Sequence, residues 1–247
     1  RGYFSGSVMM AAAAASYLKC CGKFSSVAGL WCARVGAAAG LATTRRSSAS
    51  AAAVNKAPQL SLLMHMDKVA ALSAEEIARV WADFHAQKNI PCGVITAHEY
   101  NTLQSKAKQC PNFVIPTVTA NSANPAAGFQ AFFVQWQMPY YAIFTGADEY
   151  RILGAASKPL YKVTHYTELL ATKGIVLARG EAAAPIDNRP VETSAGVTPE
   201  QGRQLFDRLH AFYGTSGGER RWSIVQRFNS GAPDFSFEQL LEECRAM

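Results

Sequence analysis

"FQAFFVQWQMPYYAIFT", residues 129–145, is the stretch on which the fold turns. Two aromatic-rich runs, 129–137 and 140–145, flank Met138-Pro139. Crowded aromatic side chains suit a pleated surface, and a proline between two such runs marks a turn. The reading is a pair of strands joined tightly. Working outward, "PLYKVTHY" (159–166) supplies a third strand, and "GIVLA" (174–178) is the continuous apolar run of a strand covered on both faces. "WSIVQRF" (222–228) alternates Trp222, Ile224, Gln226 and Phe228 against Ser223, Val225 and Arg227, which reads as one more.

Helices fill the intervals. Ser73…Glu76, Thr96…Glu99, Thr198…Gln201 and Ser236…Gln239 each place a hydroxyl three residues before a Glu or Gln. That pattern satisfies the orphan N–H groups of a first helical turn. After Ser73, Ile77, Val80, Trp81 and Phe84 recur at helical spacing. After Thr198, Pro199 suits a first turn, Leu205, Leu209 and Phe212 form the apolar stripe, and Gly214 marks the end. A short helix is expected over about 167–173. Strands and helices do not alternate regularly enough for a doubly wound sheet. The expected class is therefore α+β, a single domain of mainly antiparallel sheet flanked by helices.

Charge divides the chain. Asp67 is the first acid, and seven bases precede it: Arg1, Lys19, Lys23, Arg34, Arg45, Arg46 and Lys56. The other seventeen bases face all eighteen acids, so the whole +6 belongs to the first quarter and the remainder is near neutral. A nucleic-acid binder carries its basic field on the folded domain, so that class is set aside. An Ala/Ser/Arg-rich, acid-free leader has the composition of an organelle transit peptide. Residues 1–56 are accordingly expected to be a disordered leader, processed between Arg46 and Lys56, with the folded domain at 57–247. No uncharged apolar run is long enough to span a bilayer, so membrane insertion is not expected. Beyond the leader, Cys92, Cys110 and Cys244 are an odd number without paired spacing, which fits a reducing compartment.

Chemistry-bearing patterns are sparse. His85, Cys92, His98 and Cys110 invite a zinc reading, but their intervals match no usual ligand spacing. "GTSGGERRW" (214–222) is glycine-rich without the Gly-Lys-Ser/Thr ending of a phosphate loop, and reads as a turn. Arg179 and Glu181 share a strand face with Ile175 and Leu177, and read as the place where a buried strand meets water. Gly180, on the other face, permits a bulge or a close neighbour. No catalytic residue, cofactor or metal is assigned. The rival reading is an organellar enzyme whose site converges from His98, Cys110, His165 and Arg179. Seven aromatic residues between Phe129 and Phe144 exceed what one sheet face can bury, which points to an exposed apolar surface for a partner.

Four blocks carry a resemblance. "MDKVAALSAEEIARVWADFH" holds Ile77, Trp81 and His85 four apart; "CPNFVIP" precedes "GFQAFFVQWQ"; "HYTELLATKGIVLARGE" is the most specific; "FYG" and "RFNSGAPDF" close the series. In this order they resemble the mitochondrial ATP synthase assembly factor family whose members chaperone the beta subunit of the soluble catalytic head. The likeness spans roughly residues 62–243. "PTVTANSANP" (116–125) and the Ala-rich stretch after Glu181 depart from it. The resemblance implies a non-enzymatic, monomeric protein of the mitochondrial matrix. It would hold unassembled beta subunit, shield its apolar alpha-facing surface and release it to the alpha subunit. Phe133, Trp136, Tyr141 and Phe144 are the expected contact residues. A structural subunit of the ATP synthase is a further alternative.

Overall fold

The structure, a computed structural model, describes residues 56–118, 128–183 and 196–247. The expected leader, Lys56 excepted, lies outside the described residues, as does most of the stretch 182–196. A 3₁₀ turn (Leu60–Leu62) leads into α1 (Met66–Ala71), α2 (Ala74–Ala86), β1 (Cys92–Thr96), α3 (Ala97–Gln109), β2 (Asn112–Val118), β3 (Phe129–Gln137), β4 (Tyr141–Gly146) and α4 (Ala147–Leu153). There follow β5 (Pro159–Tyr166), α5 (Leu170–Lys173), β6 (Ile175–Ala182), α6 (Pro199–Tyr213), α7 (Gly218–Ser230) and α8 (Phe237–Arg245).

The six strands form one sheet in the order β1-β6-β5-β4-β3-β2, antiparallel throughout. Side chains alternate between its faces, and each face has its own cover. On one, Phe113, Val134, Phe144, Tyr161 and Val176 meet Leu205, Leu209 and Phe212 of α6, with α3, α7 and α8 completing the main core. On the other, Tyr166, Ile175 and Leu177 pack under Leu60, Val69, Ile77 and Trp81. The Trp81 indole N–H donates to the Ala178 carbonyl at 3.2 Å, tying α2 to β6.

The capping pattern is realised at Ser73, Thr96 and Thr198, where hydroxyl and carboxyl or amide bond reciprocally. Ser236 accepts from the Gln239 N–H. Gly180 has its close neighbour: a Cβ there would lie 1.8 Å from the Tyr161 hydroxyl. The Tyr161 ring also abuts Gly202 of α6, so two glycines let strand and helix close around it.

Several expectations are corrected. Residues 222–228 lie in α7. Trp222, Val225 and Phe228 stand three apart, so a stripe that alternates on paper is equally a helix face, and Gly231 (φ 64°) ends the helix in the left-handed region. The turn at 214–217 consequently joins two helices. β1, β2 and α4 are additional to the strands and helices expected, and the helix at 167–173 shortens to α5. In α2 the buried stripe is Ile77, Trp81 and His85, while Val80 and Phe84 remain 46% and 36% exposed.

Candidate functional site: an open sheet edge beside a small cavity

The two sheet edges are treated differently. On β2 the outward peptide groups of Asn112, Pro116 and Val118 are engaged by helix side chains, and Val114 between them has no backbone partner on that side among the described residues. Asn229 bonds both N–H and C=O of Asn112, Arg208 donates to the Pro116 carbonyl at 2.6 Å, and Gln204 bonds both groups of Val118. Pro116 itself has no N–H to offer, the usual device of a guarded edge.

β1 is not guarded in this way. The Gly180 N–H donates to Pro91 O at 2.8 Å, and Ala97 N–H to Gly174 O at 2.9 Å. Antiparallel pairing alternates, so Gly93 and Ile95 also face β6, while Cys92 and Val94 turn their peptide groups away from the sheet. Thr96, which also faces outward, gives its N–H to Glu99 at 3.0 Å as part of the α3 cap. Among the described residues, nothing pairs with the backbone of Cys92 or Val94.

Beside this edge lies a cavity of about 210 Å³ lined by Val94, Ile95, Leu103, Phe206, His210 and Ser216, with Gly93, Glu99, Gly214 and Thr215. At its wall Gly93 lets Phe206 approach the strand, at 3.4 Å from where a Cβ would sit. Burial opposes ionisation of Glu99 only weakly: its bonds to Thr96, backbone first, hold the carboxyl below the usual range.

His210 links the cavity to the core. Its Nε2 lies 3.3 Å from Nε2 of His165, and its Nδ1 2.8 Å from the Phe206 carbonyl. The 2.8 Å carbonyl contact fits His210 as donor at Nδ1, which leaves its Nε2 as an acceptor; the single N–H of neutral His165 then serves either that nitrogen or the Tyr140 carbonyl, 3.3 Å from its Nδ1, and not both. Burial, then the neighbouring His210, pushes His165 down to about 3, and burial lowers His210 as well. Both rings are held neutral.

The rival catalytic set does not assemble. His165 faces the main core; Arg179, opposite Thr164 and not His165, faces the other side of the sheet; His98 is exposed on α3 and Cys110 is buried at its end. The zinc set is likewise divided, with His85 and Cys92 on the α2 side and Cys110 in the main core. Arg179 pairs with Glu181, and Lys162 reaches Glu181 at 2.9 Å. Burial opposes the Glu181 charge, yet Lys162 and Arg179 outweigh it and keep the carboxyl below the usual range. This network closes the polar end of the β5–β6 pair.

Of the expected contact residues, Phe133, Trp136 and Phe144 are buried. Phe133 stacks on Tyr150 of α4 at 4.1 Å, Trp136 meets Tyr213, and Phe144 meets Tyr161. Both sheet faces are covered here, so the aromatic excess is absorbed by helices on two sides. Tyr141 alone is half-exposed, its hydroxyl donating to Lys56 O at 2.7 Å. The open edge had no comparable signal in the sequence, where "CGVIT" is short and only its Val-Ile pair is strongly apolar.

The profile of the ATP11 protein family matches residues 36–241, beginning inside the expected leader and reaching into α8. A human protein named ATP synthase mitochondrial F1 complex assembly factor 1 is 24% identical over 184 residues, 74% of this chain and 51% of its own length. Protein atp11, mitochondrial, of Schizosaccharomyces pombe is 24% identical over 189 residues, 73% of this chain and 60% of that protein. The zebrafish (Danio rerio) protein with the human name is 24% identical over 184 residues, covering 55% of its length. The chain thus spans between half and three fifths of these relatives. The family match covers most of the sequence and nearly every described element, and the chain belongs to the ATP11 protein family.

Proposed function

We propose that this protein is an assembly chaperone for the soluble catalytic head of the mitochondrial ATP synthase. It holds the unassembled beta subunit in the matrix, shields the apolar surface meant for alpha, and yields it when alpha arrives. The observation that carries this reading is family membership together with relatives named as F1 assembly factors. Separation of His98, Cys110, His165 and Arg179 supports binding over catalysis. Exposed Leu62, Val80, Phe84 and Ile152 supply apolar surface of the kind that partners cover. Of the four aromatic residues expected at the contact, Tyr141 is the one with exposure to serve.

The physical logic needs no nucleotide. One half of an obligate interface aggregates if left bare. A chaperone covers it, yet binds less tightly than the final partner, so exchange runs forward by mass action. The test is to dilute isolated beta subunit with and without this protein, follow turbidity, then add alpha. Suppressed scattering followed by displacement is expected. Unchanged aggregation, or turnover of a metabolite by the purified protein, would refute the reading.

A further inference from the structure

We propose that the open edge of β1, together with the adjoining cavity, is where this protein grips its partner, by adding an extended partner segment to the sheet. The inference rests on the chaperone reading and names the surface that does the holding.

Three observations converge on a peptide strand as occupant. First, Cys92 and Val94 present N–H and C=O groups with no partner among the described residues, spaced two apart as one strand presents them to another. Such a row is complementary to backbone, and strand addition is a recurrent mode of peptide capture. The contrast with β2 matters, because the same fold engages that edge at both ends with Pro116, Gln204, Arg208 and Asn229, leaving only Val114 between them.

Second, the cavity is the right size for a side chain. At about 210 Å³ it falls below the roughly 300 Å³ at which small-molecule sites begin. Ile95, Leu103 and Phe206 make its walls apolar, while Val94 turns its side chain to the α2 side of the sheet. A strand laid on β1 directs alternate side chains to one face, so one large apolar residue of the incoming segment enters the cavity while backbone bonds fix the register.

Third, the ends of the edge differ in charge. At the Cys92 end stands Arg203, bonded to Asn89 at 3.0 Å and close enough for its charge to act on the Cys92 thiol, with Asp207 one turn along α6. At the Thr96 end Glu99 lines the cavity as an anion. The occupant is therefore an extended segment with a central bulky apolar residue, an acid toward Arg203 and a base toward Glu99. On the chaperone reading, the unassembled beta subunit supplies this segment, from the apolar surface it has not yet buried.

Two variants test this without removing a bond that holds the fold. Val94→Pro deletes an N–H that nothing in the sheet uses, a place where an edge strand tolerates proline, and Val94→Ala, which keeps that N–H, measures the packing lost with the side chain on the α2 side. Ser216→Trp, on the exposed turn at the rim, plugs the cavity. Each is compared with the unmodified protein for melting temperature and for binding of isolated ATP synthase beta subunit. Hydrogen exchange of the Cys92 and Val94 amides is followed with and without beta.

Expected are unchanged melting, affinity lowered at least about tenfold, on the scale of a lost backbone hydrogen bond, and slowed exchange of both amides in the complex. Full-strength binding by both variants, with the amides still exchanging freely, overturns the edge assignment while leaving beta capture intact. Failure of the unmodified protein to bind beta overturns the chaperone reading and this inference with it. Should Val94→Pro melt early, Ser216→Trp and the amide exchange decide alone. A concentration-dependent dimer abolished by Val94→Pro assigns the edge to a second copy and overturns the inference.

Discussion

Acidification should unfold this protein earlier than its surface carboxylates alone would require, because of the histidine pair between β5 and α6. His165 is fully buried and its pKa is pushed from 6.5 to about 3, by burial first and by His210 second. Between those values the unfolded chain takes a proton that the folded chain refuses. Stability is thus complete above about pH 6.5 and falls as the pH drops through the window, by ~1.4 kcal/mol per pH unit once the unfolded histidine is mostly charged. Taking the unfolded value at 6.5, His165 alone removes about 2 kcal/mol between pH 7 and pH 5. That figure is insensitive to the folded value, since any pKa well below 5 leaves the ring neutral in the native state. His210 shifts the same way and adds to the loss. The assay is urea unfolding at pH 7, 6 and 5 for the unmodified protein and for His165→Gln. The variant starts from lower stability but should lose about 2 kcal/mol less over that range. An equal loss in both proteins refutes the argument. So does a rise in stability on acidification, which would mean that the pair binds a proton in the folded state.

Two further outcomes follow from packing. Gly180→Ala puts a methyl 1.8 Å from the Tyr161 hydroxyl, and that ring is wedged against Gly202, so the overpacking cost should be at least about 1–3 kcal/mol by chemical denaturation. Tyr161→Phe in the same chain removes the nearest clashing atom and should recover part of the loss; no recovery would place the strain elsewhere. Phe133→Asp should abolish cooperative melting, because the position has no exposure and an unpaired carboxylate there has no water. Tyr141→Asp should cost no more than about 2 kcal/mol, since the side chain is half-exposed and gives up one hydrogen bond to Lys56. A folded Phe133→Asp protein would return Phe133 to the list of surface residues.

What was legible in the sequence had local causes. The strands at 129–137 and 159–166 announce themselves through length and aromatic or β-branched content, and three of the four helix starts close the reciprocal cap that their spacing promises. Illegible features have distant causes. Residues 222–228 fit two periodicities, and what decides for a helix is packing against Tyr213 and Phe113 from elsewhere in the chain, with the stop at Gly231 outside the window. Val80 and Phe84 carry the right period on α2, but the sheet covers only the narrower stripe of Ile77, Trp81 and His85. The aromatic excess of 129–144 looked like an uncovered face because sequence cannot show that helices cover both.

The histidine pair joins residues forty-five apart, and β1 becomes a strand because β6 is there to pair with it. That dependence bears on function. A five-residue strand held on one side has few bonds of its own, so evidence of strand character at 92–96 comes from the partner it already has. The same geometry is what a second partner would meet on the open side. Guarding the ends of the β2 edge takes a proline and three helix side chains; among the described residues nothing does the same for Cys92 and Val94 of β1, and an unguarded edge invites pairing. On the chaperone reading proposed above, that edge is where an unassembled chain would pair, and the cavity beside it would set the register.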